Sequence, residues 1–185
     1  MKKVCVFGTY KDLGEEQKEN IVRLGRLLAE NGIIVVSGGF GGSMECVSKG
    51  AKSGGGKTIG VTYYKDKAAP YKKVNEFIDE EVKTKNIFAR IETMMKISEG
   101  FIMLQGGTGT LLELAAILEH VNKGLMPPKP IVAIGDFWKG VIGNLSDEEI
   151  LSEKVKTKLN IDKCSGLLTF VKDVDEAVKE IVNRT

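Results

Sequence analysis

Short apolar runs alternate with longer amphipathic stretches along the whole chain. Each run has four or five residues, mostly β-branched, aromatic or aliphatic, which is typical of strands buried on both faces of a sheet. The six predicted strands are Val4–Phe7, Ile33–Val36, Thr58–Thr62, Phe101–Leu104, Ile131–Ile134 and Leu167–Phe170.

The stretches between these runs carry apolar residues at helical spacing, and several of them have capping residues at their ends. Only the stretch Tyr63–Val74 has no regular pattern and is expected to be irregular. The predicted helices are Glu15–Glu30, Ser43–Lys52, Glu80–Ser98, Leu111–Lys123, Asp136–Leu145, Asp147–Leu159 and Asp173–Asn183.

Strands separated by helices predict a parallel sheet with right-handed crossovers. We therefore expect an α/β fold: a three-layer, doubly wound, Rossmann-like domain that covers residues 1–185, with about six strands in the order 3-2-1-4-5-6. In that order the first and fourth strands are neighbours at the switch point, where such folds bind ligands at the carboxyl ends of the strands.

Three glycine-bearing segments leave those carboxyl ends, namely 8–10, 37–43 and 106–110, and they should meet in one crevice. Glycine lets a phosphate approach the backbone closely. The residues expected to bind a phosphate or nucleotide are Gly8, Thr9, Gly38, Gly39, Gly42, Ser43, Gly106, Gly107, Thr108, Gly109 and Thr110.

The run from Gln105 to Glu113 is the most informative part of the sequence. It follows an apolar strand and opens an apolar helix, so its free N–H groups and the helix dipole favour an anion. Glu113 then puts a carboxylate one turn into the helix. Because a carboxylate beside a phosphate cradle is electrostatically unfavourable, this arrangement points to chemistry more than to plain binding.

Helix and strand dimensions place Arg90 near the same turn. Eight helical residues separate Ser98 from Arg90, about 12 Å, and the strand from Phe101 to Gln105 climbs about 13 Å in the opposite direction. Arg90 and Glu113 should therefore both border the crevice. The simpler interpretation makes Arg90 a surface residue and Glu113 a carboxylate favoured by the helix dipole.

Composition narrows the possible functions. The 185 residues are 42% hydrophobic and carry a net charge of +2, with no basic stripe interleaved with aromatics, so we expect no nucleic-acid partner. No apolar run approaches the roughly 20 residues that span a bilayer, so no membrane partner is expected. Three scattered cysteines fit reduced thiols and a cytoplasmic location.

Three other features are given structural explanations. Ala51–Thr58 nearly fits a P-loop, but a helix precedes it and a strand follows it, which reverses the required order. His120 is expected at the surface or an interface. Trp138, with Phe137, is expected to pack against the sheet or a partner subunit, and base stacking by Trp138 remains an alternative.

The sequence Arg90-x-x-x-Met94, followed after eleven residues by Gly106-Gly107-Thr108-Gly109-Thr110-x-x-Glu113, resembles the signature of the LOG family. These are cytokinin riboside 5′-monophosphate phosphoribohydrolases, long mislabelled as lysine decarboxylases. Upstream, Gly38 to Glu45 and Gly54 to Val61 resemble the other glycine-rich stretch of the family. The resemblance covers about residues 1–140.

The resemblance implies hydrolysis of the N-glycosidic bond of a nucleoside 5′-monophosphate. The backbone of Gly107 to Thr110, with the Thr110 hydroxyl, would hold the phosphate. Glu113 would stabilise an oxocarbenium-like transition state and activate water, and Arg90 would orient Glu113, contact the phosphate or assist the leaving base. It also implies a homodimer and no metal or cofactor, and we expect Phe88, Met94, Met95, Ile117 and Leu118 at the contact.

Three departures point to a divergent branch of the LOG-like superfamily, which also includes a molybdenum-cofactor carrier. Gln105 stands where the family usually has proline, Ile91 replaces the lysine of an Arg-Lys pair, and Gly-Gly-Ser-Met-Glu replaces Gly-Leu-Met-Gly in the first motif. The alternative function is therefore a non-catalytic carrier of a nucleotide or phosphorylated cofactor. Amino-acid decarboxylation ranks last, because no convincing lysine site for pyridoxal phosphate is present.

Overall fold

A seven-stranded parallel sheet forms the centre of the computed structural model, which describes residues 1–63, 73–144 and 149–185. The strands are β1 (Lys3–Phe7), β2 (Ile34–Ser37), β3 (Thr58–Tyr63), β4 (Glu80–Thr84), β5 (Gly100–Met103), β6 (Ile131–Ile134) and β7 (Leu168–Val171). The helices are α1 (Glu15–Glu30), α2 (Ser43–Ser53), α3 (Ile87–Ile97), α4 (Thr108–Asn122), α5 (Phe137–Gly143), α6 (Glu153–Leu159) and α7 (Val174–Arg184), with a 3-10 turn at Cys164–Leu167.

The strand order is β4-β3-β2-β1-β5-β6-β7, and all neighbouring pairs are parallel. This confirms the doubly wound Rossmann-like class and the predicted order of six strands, with one further strand at the edge. β1 pairs with β5, from Val4 beside Gly100 to Phe7 beside Met103. The switch point therefore lies between these two strands, as predicted.

The additional strand corrects one predicted helix. Glu80–Thr84 was predicted as the start of a helix running to Ser98, whereas it forms the edge strand β4, and α3 begins at Ile87. An edge strand tolerates charged side chains because one of its sides faces solvent. Asn86 separates the two elements, and its side chain accepts a hydrogen bond from the N–H of Ala89 as the N-cap of α3, at 2.8 Å.

The start of α6 also differs from the prediction. Residues 149–152 are not helical, and Glu149 instead bridges Lys163 in an antiparallel arrangement before α6 begins at Glu153. The irregular stretch predicted after Tyr63 lies outside the described residues up to position 72, as do positions 145–148 of the two helices predicted there.

Alternation along the strands divides the core into two layers. Cys5 and Phe7 face α3, α4, α5 and α6, whereas Val4 and Val6 face α1, α2 and α7. The sheet is thus covered on both faces, which explains why its central strands are uniformly apolar. The carboxyl ends of β1, β2, β3 and β5 lie at one edge of the parallel sheet, and the candidate site lies there.

Candidate active site

The loop after β1 is tied to the first turns of two helices. The Thr110 hydroxyl, at the start of α4, donates to the carbonyl of Gly8 at 2.8 Å. The backbone N–H and the hydroxyl of Ser43, at the start of α2, both donate to the carbonyl of Thr9, at 2.9 and 2.8 Å. The structure therefore brings together the three glycine-bearing segments that the sequence predicts to share a crevice.

The start of α4 is open to an incoming anion. Gly107 is its N-cap, and a Cβ added to Gly107 or Gly109 would meet no atom within 4 Å beyond the adjacent residues and the backbone of the helix itself. Within the described part of the chain, no backbone or side-chain acceptor binds the N–H groups of Thr108, Gly109 and Thr110. Three free donors and the positive end of the helix dipole thus lie at the start of α4, where Thr108 and Gly109 are exposed and Thr110 is buried.

The start of α2 is less open than that of α4. The first N–H of the helix, on Ser43, is already used by Thr9. Gly42 has a φ of +65°, and a side chain there would approach the backbone of Thr9, Tyr10 and Lys11. Gly42 therefore serves close packing of two loops, and contact with a ligand at this residue stays a prediction.

Arg90 on α3 and Glu113 on α4 meet across the crevice, as the helix and strand dimensions predict. Arg90 Nη1 lies 3.5 Å from Glu113 Oε1, and the two side chains are 8% and 11% exposed. Arg90 is buried in the chain, which excludes the alternative in which it is a solvated surface residue. Glu113 lies in the second turn of α4, one turn beyond the open N–H groups.

The guanidinium of Arg90 is held from several sides. Its Nε donates to the carbonyl of Val61, on β3, at 2.7 Å, and its Nη2 lies 3.7 Å from Met44 Sδ. The Phe40 and Tyr63 rings lie 5.4 and 5.7 Å from its Cζ, within the range of cation–π attraction. Because these contacts involve Nε and Nη2, Nη1 is the guanidinium nitrogen that faces Glu113.

The sequence did not indicate these four partners of Arg90, because they act through a backbone carbonyl, a thioether and two ring faces. A weak signal existed in Phe40, an aromatic residue inside a glycine-rich turn. Its carbonyl accepts a bond from Asn75 Nδ2 at 2.9 Å, and the Asn75 N–H donates to the carbonyl of Gly39 at the same distance. These two bonds fix the turn after β2 against the segment that precedes β4.

Burial dominates the electrostatics of the pair. It raises the pKa of Glu113 from 4.5 to about 7, although the charge of Arg90 acts in the opposite direction. Burial also lowers the pKa of Arg90, and the guanidinium still remains charged at neutral pH because its ordinary pKa is so high. The site therefore holds a fixed cation beside a carboxyl group that titrates near neutrality.

The structure gives the other residues singled out in the sequence a role in packing or in the backbone and not in chemistry. Trp138 is buried against the sheet and its Nε1 donates to the carbonyl of Leu104 at 2.8 Å, so it packs as predicted and has no face free for stacking. His120 is half-buried, and its Nδ1 lies 2.7 Å from the carbonyl of Ala116 on the same helix. In the P-loop-like segment, α2 precedes the glycines and β3 follows them, which confirms the reversed order.

Two further kinds of feature are absent from the described ranges. No helix in them is both long and apolar enough to cross a bilayer. No group of three or more histidine, cysteine, aspartate or glutamate side chains in them is arranged to hold a metal ion.

The doubly wound parallel sheet defines a Rossmann-like protein, and the similarity to known sequences places it in a divergent branch of the LOG-like superfamily. The chain belongs to the SLOG cluster4 family, whose model matches residues 1–161.

A relative with a described activity is the cytokinin riboside 5′-monophosphate phosphoribohydrolase LOG of Oryza sativa. It is 31% identical over 126 residues, which are 67% of this chain and 51% of the relative, so the chain spans about half the length of that protein.

Two solved structures resemble the fold over nearly the whole chain. The structural genomics target TM1055 has a TM-score of 0.74 at 24% identity and covers 99% of both chains, which shows the fold alone. The molybdenum cofactor carrier protein of Chlamydomonas reinhardtii has a TM-score of 0.70 at 27% identity, over 98% of this chain and 96% of the other.

Proposed function

We propose that the protein is a nucleoside 5′-monophosphate phosphoribohydrolase. It would add water across the N-glycosidic bond and release the free base and ribose 5-phosphate. The observation that carries the proposal is the buried pair of Arg90 and Glu113 beside the open N–H groups of α4. A phosphate held by those amides would bring the ribose of the same molecule toward the pair.

The chemistry of each group follows from its environment. Cleavage of the glycosidic bond spreads positive charge over the ribose, and the ionised carboxylate of Glu113 would stabilise that charge. Glu113 can also take a proton from the attacking water, since a pKa of about 7 suits a general base at neutral pH. The proton balance closes when the leaving base takes up one proton. The positive charge of Arg90 lowers the pKa of Glu113 and so increases the ionised fraction of its carboxyl group.

The experiment is incubation with AMP, GMP, IMP, CMP and UMP in turn, with free base measured by chromatography. We expect release from at least one of them, and a loss of at least about 100-fold in Glu113→Gln. Glu119→Gln is the matched control, because Glu119 lies on the same helix in an exposed ion pair with Lys123. Folded protein that releases no base from any of the five contradicts the proposal.

A second candidate is a carrier of a phosphorylated cofactor, and the similarity to the Chlamydomonas carrier favours it. Such a protein would use the same amides of α4 to hold a phosphate without turnover. Native mass spectrometry of freshly purified protein distinguishes the two candidates. A retained phosphorylated ligand without hydrolysis supports the carrier, whereas hydrolysis with no retained ligand supports the enzyme.

We further infer that the protein works as a homodimer of single-domain chains in the cytoplasm. Phe88, in the first turn of α3, is 69% exposed, and Leu118 on α4 is half-buried. The apolar surface expected at the contact is smaller than the sequence indicates, since Met94, Met95 and Ile117 are buried in the core of the same chain. No disulfide bond joins Cys5, Cys46 and Cys164, all of which lie in the described ranges, and this fits a reducing compartment.

A further inference from the structure

The guanidinium group of Arg90 occupies the space that a side chain at position 38 would need. A Cβ on Gly38 would overlap Arg90 Nη2 and lie 2.8 Å from its Cζ and 2.6 Å from Met44 Sδ. Gly38 is buried and its φ lies outside the left-handed region. Glycine is therefore required at this position for space and not for backbone conformation.

The guanidinium has little freedom to move away from Gly38. Its Nε is bound to the carbonyl of Val61, in the middle of a paired strand, and the rings of Phe40 and Tyr63 lie close to its Cζ. A methyl group at position 38 would consequently push Nη2 and rotate the planar head. Because the guanidinium is planar and rigid, Nη1 would turn with it and leave its present position beside Glu113.

We propose that Gly38 is a positioning residue that acts through Arg90: its missing side chain leaves the space in which the guanidinium presents Nη1 to Glu113. The consequence for turnover rests on the proposed hydrolysis, whereas the effect on Glu113 does not. This differs from the role that the sequence indicates for Gly38, which is direct contact with a phosphate or nucleotide.

The same turn offers a matched control. Gly41 has no atom of the protein closer to an added Cβ than Glu45 Oε2 at 3.7 Å, an ordinary contact, and its φ is also outside the left-handed region. Gly38→Ala and Gly41→Ala therefore make the same chemical change three residues apart. Only the first of them meets the guanidinium.

The test measures the pKa of Glu113 by carbon NMR of protein labelled at the glutamate carboxyl carbon. The Glu113 signal is identified by its absence in Glu113→Gln. In the described structure the groups that face Glu113 electrostatically are Arg90 from α3 and the buried thiol of Cys5 from β1. We expect Gly38→Ala to raise the pKa of Glu113 by roughly 0.5–1 unit, since part of the stabilising charge moves away, and Gly41→Ala to leave it unchanged.

An unchanged pKa of Glu113 in folded Gly38→Ala overturns the proposal. Should Gly38→Ala fail to fold, the variants Gly38→Ala/Arg90→Met and Gly38→Ala/Met44→Ala decide: folding recovered by the first supports a clash with the guanidinium, and folding recovered by the second alone, or by neither, refutes it. Where Gly38→Ala and Gly38→Ala/Arg90→Met both fold, Gly38→Ala should cause no further shift of the pKa in the Arg90→Met background.

Turnover adds a separate readout. If the protein hydrolyses a nucleoside monophosphate, Gly38→Ala should lower kcat more than it raises KM and should move the pH profile in the same direction as the NMR titration. If the protein hydrolyses no nucleoside monophosphate but Gly38→Ala still shifts the pKa of Glu113, the proposed function is refuted and the proposed role of Gly38 is supported.

Discussion

Arg90 Nη1 and Glu113 Oε1 lie 3.5 Å apart in surroundings that exclude most solvent. Charge-assisted hydrogen bonds between such groups are usually about 2.7–2.9 Å long. The pair is therefore close enough for strong electrostatic coupling, yet the carboxylate keeps its hydrogen-bonding capacity for another molecule. No other ion pair or hydrogen bond of this carboxylate occurs among the residues that the structure describes.

The raised pKa of Glu113 predicts how stability depends on pH. The folded carboxyl group keeps its proton up to about pH 7, whereas the unfolded one loses it near 4.5. Folding thus takes up a proton between these values, and the free energy of unfolding should fall as the pH rises through this window. The expected contribution is on the order of 3 kcal/mol, since one pKa unit corresponds to about 1.4 kcal/mol.

Urea unfolding of the wild type and of Glu113→Gln at several pH values between 4 and 8 isolates this contribution. The difference between the two proteins cancels the titration of the other groups, which both share. We expect the wild type to lose stability relative to the variant as the pH rises. A difference that stays constant across the range would show that Glu113 is not perturbed in the folded state.

Phosphate binding by the backbone of α4 can be tested by Thr108→Pro. Proline is compatible with the first position of a helix, and the extended backbone of Gly107 suits the residue before a proline. The substitution removes one of the free N–H groups without breaking a helical hydrogen bond. Since a bond to a charged group contributes about 1.5–3 kcal/mol, we expect binding of a nucleoside monophosphate to weaken roughly 10-fold or more.

Thr108→Ala is the matched control for that experiment, because it keeps the N–H and removes only the exposed hydroxyl. Isothermal titration calorimetry of both variants measures the affinity. Equal affinities for the proline and alanine variants would place the phosphate elsewhere.

Thr110→Val should destabilise the protein through the loop after β1. Valine has nearly the same shape but cannot donate to the carbonyl of Gly8, which then loses this partner at the packed start of α4. We expect a loss of about 1–3 kcal/mol in the free energy of unfolding, measured by chemical denaturation. Thr157→Val, at an exposed position of α6, is the control and should change stability by less than about 0.5 kcal/mol. Equal effects at the two positions would mean that the bond to Gly8 adds nothing.

Phe88→Glu tests the inferred homodimer. A charge in place of an exposed ring would disfavour burial of the first turn of α3 against a second copy. Light scattering should give about 40 kDa for the wild type, twice the mass of the 20.2 kDa chain, and about half of that value for the variant. Leu151→Glu removes a similarly exposed apolar side chain that lies beside Asn122, the last residue of α4, and not beside the first turn of α3, so it should leave the dimer intact. A monomeric wild type at micromolar concentration would refute the inference.

Much of the fold could be predicted because the central strands are apolar on both faces and the elements alternate regularly. The same pattern failed at Glu80–Thr84, where an edge strand carries charges and resembles an exposed helical turn. The position of Arg90 was insensitive to this error. That position follows from the distance to Ser98, which is the C-cap of α3, and does not depend on where the helix begins.

The contacts of the Arg90 side chain with its neighbours could not be predicted from the sequence. Val61 contributes only a carbonyl, and any residue in its place would present the same atom. The approach of Phe40 and Tyr63 depends on how the turn after β2 folds against the end of β3, which no local pattern encodes. Gly38 was recognised as part of a motif, but the reason for a glycine there required coordinates.

The charged residues that misled the prediction of β4 have a use in solution. Glu80, Glu81 and Lys83 occupy three of the five positions of the strand that ends the sheet on one side. An apolar strand at that margin would offer its unpaired backbone to another molecule and promote aggregation. Pairing of two such margins would take these charged side chains out of water, so the strand disfavours edge-to-edge association at the place where the sheet stops growing.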